Sequence, residues 1–232
     1  MSFLTDIASW RQQYNRHSLP DAPLPANPLV LFALWFEAWA TTQDPNRIDT
    51  NAMILATATP NGKPSVRAVL LKGFDENGFV FYTNYLSRKG NELTANPQAS
   101  ILFYWPSLER QVRVEGIVVK TSAQESGEYF ASRPRESQLA AVASHQSQPV
   151  ANQQALQALF DAAQQQFAPN APVVCPTHWG GYRLQPNYVE FWQGRPNRLH
   201  DRITYSLLIN DPPETNTSRT ADSNWTIQRL AP

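Results

Sequence analysis

Arg198, His200 and Arg202 stand at alternate positions in the stretch Asn-Arg-Leu-His-Asp-Arg-Ile-Thr-Tyr that ends at Tyr205. A strand points alternate side chains to one face. The spacing therefore predicts a strand face with two guanidiniums and an imidazole, and an opposite face with Leu199, Asp201 and Ile203. Three such groups repel one another unless an anion lies against them. Arg88 and Lys89 raise the same question. Ser87 reads as the N-cap of a short helix that ends before Pro97, so both cations fall in its first turn. The helix dipole disfavours cations at that end, whereas free N–H groups there bind phosphate.

A third set is Tyr129, Arg133 and Ser137. Tyr129 and Arg133 are four apart and share a helix face, and with a hydroxyl they could grip a phosphate monoester. On residue types alone, a solvated helix face is the simpler explanation. Arg67 and Lys72 close the strand "RAVLLK" on opposite faces and read most simply as its solvated ends; His145, in the loop "SHQSQP" beside Gln146 and Ser147, could be a base, but a lone loop histidine usually is not. Read physically, these clusters suit phosphates, and their number suits more than one phosphate.

Composition limits the alternatives. Lys plus Arg equals Asp plus Glu at 19 each, so no global basic field exists to hold nucleic acid. Cys175 is the only cysteine, which rules out a disulfide within the chain and a metal site built on paired cysteines. No metal site is expected. Gly-x-Gly-x-x-Gly, Walker, Gly-x-Ser-x-Gly and His-Glu-x-x-His motifs are missing, so the readings that depend on them lack their signatures. The N-terminal stretch is not a secretory signal, and no apolar run approaches the ~20 residues of a membrane span. The expectation is a soluble cytoplasmic protein with no membrane or nucleic-acid partner.

The elements that must position these residues follow from periodicity. Residues 3–14 and 28–43 read as helices joined by a proline-rich connector, which makes 1–48 a helical N-terminal segment. Asn61-Gly62 and Asn77-Gly78 each lie between apolar runs, the strongest short hairpin signal. They predict strands over 52–59, 65–74 and 79–84. Further strands are expected over 99–106, 110–121, 178–194, 198–209 and 225–231, with helices over 122–133, 135–144 and 151–167. The polar stretch 210–224 reads as a mobile hairpin loop. Eight strands with inserted helices predict a mainly β, antiparallel barrel in one 232-residue domain.

The ordered set "RAVLLK", "FYTNYLSRK", "LERQVRVEG", "YFASRPRESQ", "HQS", "HWGGYRL", "EFWQG", "RLHDR" and "RLAP" resembles the pyridoxine/pyridoxamine 5′-phosphate oxidase family from about Asp49 to Pro232. The resemblance implies an antiparallel FMN-binding split β-barrel and a homodimer with FMN at the subunit interface. It also implies oxidation of pyridoxamine or pyridoxine 5′-phosphate to pyridoxal 5′-phosphate, with O2 reoxidising the flavin to give H2O2. Carried over by motif, Arg67, Ala68, Val69, Leu70, Tyr82, Thr83, Arg88, Lys89, Gln111, Gln146, Ser147, Trp192 and Arg202 match FMN contacts. Lys72, Tyr129, Arg133 and Ser137 match the grip on the substrate phosphate, and Arg198 and His200 match residues over the reacting carbon. Arg11 and Tyr14 match a segment that closes on the substrate, although Gln12 and Gln13 stand where the family often has charged residues. Asp49 falls where some members have an active-site aspartate.

Two rival readings stay open on sequence. One is a split-barrel flavin reductase using a nicotinamide cofactor, which would not need the Lys72, Tyr129, Arg133 and Ser137 grip. The other is a non-catalytic carrier of FMN or pyridoxal phosphate, which would not need Arg198 and His200.

Overall fold

The structure is a computed structural model and describes residues 13–19, 23–42, 49–208 and 225–232. Five helices and nine strands follow in the order α1 (Pro28–Thr41), β1 (Ala52–Ala58), β2 (Pro64–Leu70), β3 (Gly73–Asp75), β4 (Gly78–Asn84), α2 (Arg88–Ala95), β5 (Gln98–Trp105), β6 (Arg110–Lys120), α3 (Ala123–Ser132), α4 (Arg135–Ala143), α5 (Gln153–Gln166), β7 (Trp179–Gln193), β8 (Asp201–Leu207) and β9 (Trp225–Leu230). The sheet runs β2-β1-β5-β6-β7-β4-β3, with β8 on β7 and β9 on β8. Chain contacts divide the molecule into two compact units. One comprises Met1–Thr50, Leu102–Val114 and Tyr188–Pro232, and the other Asn51–Ile101 and Glu115–Asn187.

In the second unit, Asn-Gly behaves as its chemistry requires. Gly62 and Gly78 take positive φ of 83° and 120°, which glycine adopts without Cβ strain. At Gly78 a Cβ would also strike the Leu184 carbonyl. The single strand expected over 65–74 is instead two. The Leu71 N–H still donates to Asn51 next to β1, but the Lys72 N–H donates to Val80 in β4. The chain changes partner between these residues, so β2 pairs with β1 and β3 with β4. The helices close over Phe130, Leu139, Ala141, Val173 and Trp179, all buried.

The first unit holds an aromatic core. Phe32 and Phe103 rings lie 4.9 Å apart, Trp35 meets Phe191 edge-on at 5.2 Å, and Phe191 meets Tyr205 at 5.7 Å. Truncating one such fully buried ring costs about 3–5 kcal/mol. The polar edges are paired as well, with Trp39 Nε1 donating to the Thr50 carbonyl and the Tyr205 hydroxyl to that of Pro25.

The strand expected over 198–209 begins later, at Asp201. Pro196–Arg198 forms a single tight turn, and Asn197 and Arg198 both take left-handed φ, 56° and 60°. This corrects the shared strand face: of Arg198, His200 and Arg202, only Arg202 lies on the strand. The helix expected over 3–14 falls outside the described residues except for Gln13 and Tyr14, which are not helical. Arg11 and the loop 210–224 also fall outside them. No described helix is long and apolar enough to cross a membrane.

Candidate functional site

The second unit gathers a cation cluster at the start of α2. Ser87 caps the helix by accepting from the Gly90 N–H, as its sequence position predicts. The cluster is organised by a residue that was not singled out in the sequence, Glu92. It is 6% exposed and accepts from Arg88 Nε at 2.8 Å, Arg67 Nη2 at 3.3 Å and Thr57 Oγ1 at 2.5 Å. Burial pushes its carboxyl up, but these hydrogen bonds outweigh burial and hold it below the ordinary value. The Arg88–Glu92 pair spans one helical turn, so Arg88 does have an intrahelical partner, a spacing legible in the sequence. Arg67 also donates to Thr57 Oγ1 and Ser65 Oγ.

Lys89 differs from its neighbours. Its ammonium meets Thr83 Oγ1 at 3.1 Å, Ser87 Oγ at 3.4 Å and Gln146 Oε1 at 2.9 Å, all neutral acceptors. Burial, then the charge of Arg67, lowers its pKa. The structure thus brings Thr83, Lys89 and Gln146 together, with Arg67 close enough to act on Lys89. Ser147, next to Gln146, takes a left-handed φ of 72°. Ala68, Val69 and Leu70 lie on β2, an end strand of the sheet, whose outer backbone groups pair with no further strand among the described residues.

Tyr82, on β4, stacks with Tyr129 at 3.9 Å and with Trp179 at 5.4 Å, and those two rings lie 6.2 Å from each other. Burial, then the charge of Glu125, pushes its phenol up to about 12, so it remains a donor at neutral pH. Arg133 ends α3 with its guanidinium 4.8 Å from the Trp179 ring. The corner at Pro134 is tied by Gln138, whose amide donates to the Ala131 and Arg133 carbonyls. Arg133 Nη1 is buried with no hydrogen-bond partner among the described residues. Ser137 is half-buried on α4. Lys72 is exposed where the chain passes from β2 to β3, and no described hydrogen bond or ring contact joins it to Tyr129, Arg133 or Ser137.

The first unit gathers the rest. Trp192 on β7 faces Arg202 on β8 in register. With Gln111, Arg113 and Glu190 they line a cavity of about 340 Å³. Glu190 was not singled out in the sequence either. It accepts from Arg202 Nε at 2.7 Å and Arg113 Nη2 at 2.6 Å. Burial pushes this carboxyl up, and the two guanidiniums more than reverse it. Arg202 Nη1 reaches the Ala231 carbonyl at 3.0 Å, which gives the terminal "RLAP" a place at the site.

Beside this cavity wall, His200 packs against Trp192 at 4.7 Å and Tyr14 at 5.7 Å. Tyr14 lies so close to Gly194 that a Cβ there would come within 2.8 Å of its ring. Arg198 is exposed on the left-handed turn. The half-buried Asp201 accepts from the Leu19 N–H and pairs with Arg195 and Arg229. Asp49 is exposed. Among the described residues no group of three His, Cys, Asp or Glu could hold a metal ion.

Comparison with known proteins gives the chain's family and fold. Residues 46–167 match the family profile described as pyridoxamine 5′-phosphate oxidase. Residues 179–232 match that of the pyridoxine 5′-phosphate oxidase C-terminal dimerisation region. The chain is 46% identical over 228 residues to the pyridoxine/pyridoxamine 5′-phosphate oxidase of Acaryochloris marina, covering 98% of this chain and 96% of that one. It is 47% identical over 229 residues to the Burkholderia lata protein of the same name, covering 99% and 100%. Among solved structures, PhzG from Burkholderia lata, in complex with tetrahydrophenazine-1-carboxylic acid, superposes with a TM-score of 0.75 at 29% identity, over 91% of this chain and 98% of that one. A related FMN-binding protein from Nostoc punctiforme gives 0.64 at 18% identity over 91% of this chain and all of that one, a likeness of fold. The fold is the antiparallel split β-barrel of these proteins, and the chain belongs to the pyridoxine/pyridoxamine 5′-phosphate oxidase family of oxidoreductases.

Proposed function

We propose that this protein binds FMN and oxidises pyridoxamine 5′-phosphate and pyridoxine 5′-phosphate to pyridoxal 5′-phosphate. O2 is the electron acceptor and H2O2 the by-product, and the protein works as a cytoplasmic homodimer with FMN at the subunit interface. The observation that carries the reading is the cluster around Lys89. Three cations converge, one carboxylate offsets part of their charge, and the lysine has neutral partners and a lowered pKa. A dianionic phosphate supplies the charge this arrangement lacks, through charge-assisted hydrogen bonds.

Arg133 fits a second phosphate, that of the substrate. A buried donor left unpaired is disfavoured by about 1–3 kcal/mol, and Nη1 is such a donor. Tyr129, Ser137 and Lys72 complete the grip in this reading. Gln111, Trp192 and Arg202 hold the flavin away from its phosphate, and Tyr14, Arg198 and His200 face the substrate. The flavin, when bound, supplies the acceptor for a hydride from the substrate carbon. The chain supplies position, and holding the reacting carbon by a remote phosphate can be worth ~7–11 kcal/mol.

The resemblance to the PhzG complex favours one other substrate class, a cyclic carboxylic acid without a phosphate. Anaerobic mixing separates the readings. Pyridoxamine 5′-phosphate should bleach the flavin band and yield pyridoxal 5′-phosphate, with H2O2 on admission of O2. Arg133→Ala should weaken this phosphate-dependent reaction selectively. Reduction by tetrahydrophenazine-1-carboxylic acid or by a nicotinamide alone would replace the reading, and flavin that no substrate reduces would mark a carrier.

A further inference from the structure

His200 receives a hydrogen bond from the backbone. The Arg195 N–H points at His200 Nδ1 at 3.1 Å. A backbone N–H can only donate, so Nδ1 must present its lone pair. In a neutral imidazole one nitrogen carries the proton and the other accepts. We infer that His200 is held as the neutral tautomer with its proton on Nε2, and therefore meets the substrate as a hydrogen-bond donor and not as a base.

The local backbone builds this arrangement. The turn Pro196–Arg198, with left-handed Asn197 and Arg198, folds the chain so that residue 200 returns to the N–H of residue 195. Such conformations are disfavoured for residues other than glycine and concentrate at functional sites. Trp192 and Tyr14 pack against the ring and limit its rotation. The groups that act on its charge agree: burial lowers its pKa, and so does the Arg198 guanidinium. The adjacent carboxylate, Asp201, is engaged by Leu19, Arg195 and Arg229. No described carboxylate hydrogen-bonds the ring. Protonating Nδ1 would set two N–H groups against each other and lose the bond from Arg195.

This deepens the proposed function and rests on it for the substrate, though the tautomer itself does not depend on that reading. A donor suffices for the amine. When hydride leaves the carbon of a neutral CH2–NH2 group, the nitrogen lone pair closes the C=N bond. The iminium forms, two electrons go to the flavin, and no proton needs a base. Nε2–H then orients a substrate oxygen and leaves the amine lone pair free for the C=N bond.

Two measurements test the inference. In 15N-histidine-labelled protein at neutral pH, His200, assigned against His200→Gln, should show Nδ1 at the unprotonated shift and Nε2 at the protonated one. The reverse pattern, or two protonated nitrogens, would overturn it. In single-turnover flavin reduction by pyridoxamine 5′-phosphate, His200→Gln keeps an amide N–H near the Nε2 position. His200→Asn keeps only the acceptor facing Arg195. The Asn variant should be slower than the Gln variant by about 10–100-fold, the loss of one hydrogen bond, with FMN affinity and melting temperature alike in both. Equal loss in both would overturn the donor role. If the wild-type protein does not oxidise the amine at all, the proposed function fails while the labelled spectrum still decides the tautomer.

Discussion

The two cation clusters share a plan and differ in what it leaves over. In one unit the buried Glu92 bridges Arg67 and Arg88; in the other the buried Glu190 bridges Arg113 and Arg202. Each carboxylate fixes two guanidiniums and cancels one of their charges. The first cluster then adds Lys89, held by neutral oxygens, which leaves a double positive charge beside the start of a helix. The second adds no lysine: Arg202 faces an indole and donates to a carbonyl. In the proposed function this difference suits the first site to a dianion and the second to a flat, weakly charged ring system. A buried carboxylate among arginines is poor evidence of added stability; here it sets the geometry and the residual charge.

The largest effect that could break this comparison is expected at the phosphate cluster. Replacing Arg88 and Lys89 together by Ala removes two charged hydrogen bonds of about 1.5–3 kcal/mol each. FMN affinity should fall by several kcal/mol in a fluorescence titration of the apoprotein. Unchanged affinity would remove the phosphate from this site.

The bridging carboxylates come next. Both have folded pKa values below the ordinary 4.5. A depressed carboxyl contributes stability that is present above the unfolded pKa and lost as pH falls through the folded one. Urea unfolding of the apoprotein should therefore show a steep loss of stability below about pH 4.5. Glu92→Gln and Glu190→Gln should each be less stable at pH 7 and show a flatter acid limb. Breaking a buried pair costs about 3–5 kcal/mol, and Glu92 should fall low in that range because Arg88 is 55% exposed. Variants with the wild-type acid limb would show that these carboxylates do not titrate with folding.

The smallest expected difference separates neighbours on one stretch. Arg202→Ala should weaken FMN by about 1.5–3 kcal/mol. Arg198→Ala should leave FMN affinity and the flavin spectrum unchanged while lowering kcat/KM for pyridoxamine 5′-phosphate. Equal loss of FMN in both would merge the two roles.

Much of this was legible in the sequence. Asn-Gly pairs marked both turns, Ser87 marked the start of α2, and alternation marked most strands. The partner change at Leu71 and Lys72 was not, because the run stays apolar while its hydrogen bonds pass to β4. The strand reading of Arg198 and His200 failed because nothing local announces two successive left-handed residues without glycine. Arg88 and Glu92 stand four apart on a helix, so that pair could have been read. Glu190 finds Arg113 only through the pairing of distant strands, and no spacing reports that.

The central claim is that the Arg67, Arg88 and Lys89 cluster binds the flavin by its phosphate. Titrating the apoprotein with FMN and with riboflavin, which lacks the phosphate, tests it most directly. FMN should bind far more tightly, and the gap should collapse in the Arg88→Ala, Lys89→Ala variant. Equal affinity of the wild-type protein for the two flavins would contradict the account.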